Sequence, residues 1–253
     1  MKGRIAFIFP GQGSQYVGMG RELVERYPEA EEAFLEADQA LGLPISRLCF
    51  EGPKEELTLT ENAQPCILAV SIAAYSVLSA RGARPHVVAG HSLGEYSAMV
   101  AAGAIEFMDA LRLVRRRGEL MSRAVAPGEG AMAAVIGLDV EGVRAACVEG
   151  RRFGVVEPAN FNCPGQVVIS GAKKAVEEAA RVARSLGAKG VIPLQVSGPF
   201  HSSLMGPIER ELREVLAGVE MRKAGIPVVS NVTGEYVEDA GELRELLARQ
   251  VSS

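Results

Sequence analysis

Residues 86–105 read HVVAGHSLGEYSAMVAAGAI: an apolar strand pattern, a turn with a glycine two residues to either side of Ser92, and a run of small helix formers. Strand, tight turn and helix in that order are the context in which GxSxG becomes a nucleophile elbow, because a side chain at either glycine would collide with the adjoining strand or helix. The five-residue string alone is common; its flanks make it specific. The start of the helix also aims N–H groups and partial positive charge at the turn, which suits an oxyanion. A structural turn serine is the other reading of the same residues.

The strand–loop–helix order recurs along the chain. IAFIFP at 5–10 runs into the glycine-rich turn GQGSQ and then a helical pattern near 18–40. Helices follow at about 62–81, after Ser92 as far as Gly103, and at 107–125. Past Pro127 the pattern becomes AMAAVIGL strand, EGVRAACVE helix, VVEPANFN strand, GQVVISG strand, AVEEAARVARSL helix and VIPLQV strand. That βαββαβ order is ferredoxin-like. A loop from Ser197 leads to a helix at 203–217, a strand PVVSNV and a last helix at 240–250. The expected fold is α/β, with an α/β-hydrolase-like body of 1–127 and 196–253 carrying a parallel sheet, and an inserted ferredoxin-like α+β subdomain at 128–195.

Composition narrows the function. The 253 residues are 48% hydrophobic and 23% charged with net charge −4, and the longest basic tract is the three arginines 115–117. A nucleic-acid surface has little support in such a chain. No apolar run approaches membrane-spanning length, and the stretch Ile5–Phe9 is shorter than a signal core, so a cytoplasmic protein without a membrane is expected. The four cysteines, Cys49, Cys66, Cys147 and Cys163, have no metal-ligand spacing and read as reduced thiols; no metal is expected.

A serine nucleophile needs a base, and there are three histidines. His86 opens the strand, roughly 20 Å from Ser92 at strand rise. His91 is the immediate neighbour, whose side chain diverges. His201, in VSGPFHSSLM, lies on a loop, where catalytic groups commonly sit. No acid stands out between Ser92 and His201, so the expected site is a dyad.

Residues 107–125 hold a cation in an unexpected place. At about 100° per residue, Ala110, Leu113, Val114, Met121 and Ala124 share one face, and Arg112, Arg115, Arg116, Glu119 and Arg123 the other. Arg117 falls at the centre of the apolar face. A guanidinium keeps its proton, so an inward arginine calls for an anion. Either a protein carboxylate supplies it or a substrate does, since arginine grips carboxylates through two parallel hydrogen bonds.

FPGQGSQ, GHSLGEYSA, RRRGELM, NFNCPGQVVISG and PFHSSLM, in this order and over essentially the whole chain, resemble the malonyl-CoA:acyl carrier protein transacylases, an acyltransferase family of fatty acid and polyketide synthesis. The resemblance implies ping-pong transfer of malonyl from coenzyme A to the pantetheine thiol of acyl carrier protein, with Ser92 as nucleophile and His201 as acid and base. It implies an oxyanion hole from the N–H groups of Leu93 and Gln12, and Arg117 on the malonyl carboxylate. Gln250 matches the glutamine of the final helix that orients the histidine. Phe200 matches the loop variant associated with malonyl over methylmalonyl units, and Asn160 and Asn162 match positions near the cleft. Met121, on the face of Arg117, joins the substrate-binding set. No cofactor is implied as permanently bound; the coenzyme A thioester is substrate. Lys173, Lys174, Arg184 and Lys189 are candidates for docking an acidic carrier. Members of the family usually continue past the point where this chain ends in QVSS, with a further strand and helix.

Three other functions fit parts of the pattern. A serine esterase or thioesterase would use the same serine and histidine with water as acceptor. GQGSQY follows a strand as a dinucleotide loop would, but Tyr16 stands at the third glycine and Pro10 interrupts the turn. A truncated, non-catalytic homologue is the third.

Overall fold

The computed structural model describes residues 3–126, 128–196 and 198–253. Pro127, expected to precede the inserted module, and Ser197, expected to open the loop after it, lie outside the described residues. In chain order the elements are β1 (Ala6–Phe9), α1 (Arg21–Arg26), α2 (Pro28–Leu41), α3 (Ile45–Glu51), α4 (Lys54–Thr58), α5 (Thr60–Ala80), β2 (Val87–Gly90), α6 (Leu93–Ala101), α7 (Phe107–Ser122), β3 (Gly130–Ile136), α8 (Val140–Gly150), β4 (Val156–Cys163), β5 (Gln166–Ala172), α9 (Lys173–Ser185), β6 (Gly190–Pro193), α10 (Gly206–Ala217), β7 (Val228–Val229), β8 (Tyr236–Val237) and α11 (Ala240–Arg249). They fall into two compact units, residues 1–119 with 212–248 and residues 120–211 with 249–253.

The first unit is built on the sheet β1-β2-β7-β8, in which β1, β2 and β7 run parallel and β8 returns antiparallel. The register pairs Phe9 with Gly90, so the turns leaving β1 and β2 emerge side by side at the carboxyl ends of their strands. Open α/β sheets place their sites at such ends. The expectation that no apolar run approaches membrane-spanning length fails at α5: among the described residues it is the one helix long and apolar enough to cross a membrane, but it is buried along most of its 21 residues and is a core helix here. Pro65 inside it has no N–H to give the Glu61 carbonyl, and Arg115 Nη1 donates there instead at 3.2 Å.

Several elements depart from the expected ones for local reasons. The helix expected over 18–40 is two, because Pro28 forces Tyr27 into an extended conformation (φ −137°) and then starts α2 from its first position. Helices α3 and α4 were not expected; at seven and five residues they are too short to show a period among the surrounding glycines and prolines. The strand expected over PVVSNV shrinks to Val228–Val229: the Ser230 N–H bonds the Glu235 carbonyl across the turn to β8, and the Asn231 N–H leaves the sheet for Glu95 Oε1.

The second unit contains β3, α8, β4, β5, α9 and β6 in an all-antiparallel sheet of order β4-β5-β3-β6, the ferredoxin-like arrangement. Val135, Val156 and Ile169 of the sheet pack with Val143 of α8 and with Val176 and Ala179 of α9 in one core. Helix α9 buries Ala175, Val176, Ala179, Ala180 and Ala183, the spacing of a single helix face. Asp139 caps α8, its side chain accepting from the Gly142 N–H at 2.8 Å. The architecture is thus an α/β-hydrolase-like body with an inserted ferredoxin-like α+β subdomain. Asp139→Ala should lower stability by about 1 kcal/mol in denaturant unfolding; an unchanged midpoint would show that water replaces the cap.

Candidate active site

Between the end of β2 and the start of α6, Ser92 occupies φ +49°, ψ −103°, a conformation a non-glycine residue rarely adopts. A Cβ on Gly90 would lie 1.8 Å from the Gly94 carbonyl carbon, and one on Gly94 would lie 2.2 Å from the Phe9 oxygen. Only glycine at both places lets strand and helix meet at this angle. Leu93 is buried at the first position of α6, and Gln12, in the turn after β1, donates its side-chain N–H to Thr60 Oγ1 at 3.1 Å. The turn is fastened by a residue that the sequence pattern placed in a strand: Asn231 Oδ1 accepts the Ser92 N–H at 2.7 Å, and its Nδ2 donates to the Gly90 carbonyl at 2.6 Å.

Arg117, on α7, is 1% exposed. Its Nη1 donates to Gln64 Oε1 at 2.8 Å and its Nη2 to Ser92 Oγ at 3.0 Å, and the guanidinium lies 5.3 Å above the Tyr96 ring. Helix α7 comes this close to α5 because Gly118 presents no side chain; a Cβ there would stand 2.6 Å from the Glu61 Cα. Burial pulls the Arg117 guanidinium below its ordinary pKa, against an opposing effect of its neighbours Tyr96 and Glu95; a guanidinium nonetheless keeps its proton. Burial also pushes the Tyr96 phenol up to about 12, which keeps it neutral. Gln64 was not foreseen. Its signal is a single long polar residue inside the apolar run AQPCILAV.

In the second unit His201 is 7% exposed and has φ +60°. Its N–H donates to the Val251 carbonyl at 3.0 Å, and Nδ1 lies 2.6 Å from the Gln250 carbonyl. A carbonyl oxygen only accepts, so Nδ1 carries the proton and the neutral ring has its lone pair on Nε2. Gln250 sits one residue beyond α11, and its main-chain carbonyl meets the imidazole. Phe200 and Met121 are buried nearby: a Cβ on Gly198 would touch the Phe200 ring at 3.0 Å and the Met121 carbonyl at 3.8 Å. Asn160 and Asn162 are on β4, the first half-buried after an irregularity in the ladder, the second exposed. Of the other histidines, His86 accepts the Ile5 N–H on Nδ1 at 3.0 Å, and the backbone of His91 takes part in the β1–β2 turn contact.

Among the described residues, Ser92 and His201 are the two non-glycine positions with positive φ. Such conformations cost of order 1–3 kcal/mol and gather at functional sites. No group of three His, Cys, Asp or Glu among the described residues could hold a metal ion, and all four cysteines are free thiols.

A strained serine between a parallel strand and a helix belongs to proteins of the α/β-hydrolase-like class. Residues 6–251 match the acyl transferase domain. Over 251 residues the chain is 51% identical to the malonyl CoA-acyl carrier protein transacylase of Bacillus subtilis, covering 99% of this chain and 79% of that protein. A crystal structure of the acyl-carrier-protein S-malonyltransferase from Burkholderia pseudomallei superimposes with a TM-score of 0.96 at 49% identity, over 99% of this chain and 82% of that one. A malonyl-transacylase solved in complex with its type II PKS acyl-carrier protein gives 0.97 at 46% identity with the same coverage. The chain belongs to the acyl transferase family, among the malonyl CoA-acyl carrier protein transacylases.

Gly118→Ala should destabilise the protein by about 1–3 kcal/mol through the clash with the α5 backbone, outweighing about 1 kcal/mol of gained helix propensity. A denaturant midpoint that rises instead would mean that the two helices have room to part.

Proposed function

We propose that this protein transfers a malonyl group from malonyl-CoA to the pantetheine thiol of an acyl carrier protein through an ester on Ser92. The observation that carries the proposal is Arg117 Nη2 at 3.0 Å from Ser92 Oγ. In a malonyl thioester one methylene separates the reacting carbonyl from the carboxylate, so an acyl donor attacked by Ser92 brings its negative end to within a few ångströms of the hydroxyl. The guanidinium stands where that anion arrives, and its desolvated position strengthens the pairing.

Ser92 Oγ attacks the thioester carbon as its proton passes to His201 Nε2, whose ring is held by the Gln250 carbonyl on the opposite nitrogen. The N–H groups of Leu93 and Gln12 stabilise the oxyanion. Collapse breaks the C–S bond, and the proton on His201 leaves with the coenzyme A sulfur. In the second half the pantetheine thiol gives its proton to His201, its sulfur attacks the ester, and Ser92 Oγ departs with the proton. Phe200 leaves little room for an α-branched acyl group, and Met121, Asn160 and Asn162 complete the substrate surface. No permanently bound cofactor enters this scheme. The exposed Lys173, Lys174, Arg184 and Lys189 offer positive charge to an acidic carrier, and the solved relative bound to its carrier supports such an acceptor. We place the reaction in the cytoplasm, where free thiols persist.

Mass spectrometry after exposure to malonyl-CoA should find an adduct of one malonyl group that Ser92→Ala abolishes; an adduct surviving that substitution would move the nucleophile elsewhere. Arg117→Ala should cut malonyl transfer by about tenfold to a hundredfold and acetyl transfer far less, since acetyl has no carboxylate to lose. Equal loss for both would make Arg117 structural, and free malonate forming at one rate with and without carrier would make the protein a hydrolase.

A further inference from the structure

The carboxamide of Asn231 spans the turn that carries Ser92. Its oxygen takes the Ser92 N–H at 2.7 Å and its nitrogen serves the Gly90 carbonyl at 2.6 Å. A backbone N–H can only donate and a carbonyl can only accept, so these two neighbours fix which end of the amide is which. Strands β2 and β7 pair in parallel as far as Ala89 with Val229. Beyond that pair the backbone of β7 turns off, and the Asn231 side chain supplies the donor and acceptor that another peptide group would have supplied. Asparagine has the reach and both functions; aspartate, alanine and leucine lack one or both. The Asn231 N–H in turn donates to Glu95 Oε1 at 3.3 Å, and Glu95 is 1% exposed in the first turn of α6. The loop after β7 is therefore tied to the strand before Ser92, to Ser92 itself and to the helix after it.

Ser92 at φ +49° is in a well that a serine does not favour, and relaxation of that angle swings Oγ away from its present direction. We propose that Asn231 is a positioning residue that holds Ser92 in its left-handed turn and so aims Oγ at the acyl carbon. The proposal rests on the reading of Ser92 as the nucleophile. It concerns the rate at which the hydroxyl is acylated and leaves substrate binding alone, because Asn231 bonds the turn and not Arg117.

The test is single-turnover acylation by malonyl-CoA, followed by mass spectrometry, in the wild type, Asn231→Ala and Asn231→Leu, each well below its melting midpoint. An organofluorophosphonate, which labels an activated serine and needs neither Arg117 nor a coenzyme A site, gives a second rate. The acylation rate constant and the fluorophosphonate rate should both fall by about threefold to tenfold with the half-saturating malonyl-CoA concentration unchanged, the size expected for partly solvated hydrogen bonds. Wild-type rates in folded variants, or a change confined to half-saturation, would overturn the inference. Should neither variant fold, amide hydrogen exchange on the wild type decides: the Ser92 N–H should be protected, and exchange as fast as that of an open loop would overturn the hydrogen bond itself. A Ser92→Ala control separates the two ideas. An adduct persisting there refutes the nucleophile, whereas its loss alongside full acylation of the Asn231 variants refutes only the positioning role.

Discussion

A guanidinium taken out of water has to be met by hydrogen-bond partners in fixed places, and in this protein that demand organises the first unit around Arg117. Gln64 on α5 provides a neutral acceptor and the Ser92 hydroxyl provides another. For both to be in reach, α7 has to lie almost backbone to backbone against the start of α5. Gly118 makes that approach possible by having no side chain, and Arg115 uses the same proximity to satisfy the carbonyl that Pro65 leaves without a donor. The close approach of α7 to α5 thus joins the buried charge to a glycine and a second arginine that have no shared pattern in the chain.

Ser92 and His201, the proposed nucleophile and base, are both held in conformations that they would not adopt alone. Ser92 is pinned by glycines that allow its strand and helix to touch and by the Asn231 amide across the turn. His201 is pinned within its own unit by two main-chain carbonyls, one on its N–H and one on Nδ1. Strain of a few kcal/mol is sustained because many ordinary contacts around it oppose relaxation. The price is paid in rigidity of the surroundings, which is what a nucleophile and a base need in order to keep their directions.

Much of this was legible in the primary structure where the signal is local. The glycine spacing around Ser92, the βαββαβ order of the second unit and the apolar face that contains Arg117 all follow from periodicities of two and 3.6 and from the sterics of a missing Cβ. Elements too short to repeat their period clearly were not legible, as α3, α4 and β8 illustrate. Nor was the manner in which Gln250 serves His201. A main-chain carbonyl makes the bond, and every residue type carries one, so side-chain identity says nothing about it.

The order of elements, the turn that only two glycines permit, and the presence of an inward cation were determined by the amino-acid sequence itself, because each depends on residues within a few positions of one another. Tertiary structure alone decided the partners: Gln64 for Arg117 across 53 positions and Asn231 for Ser92 across 139. Hydrogen bonds between residues so far apart in the chain leave no period or spacing behind them. They exist only once the helices and strands have packed, and they give the serine its direction and the arginine its place.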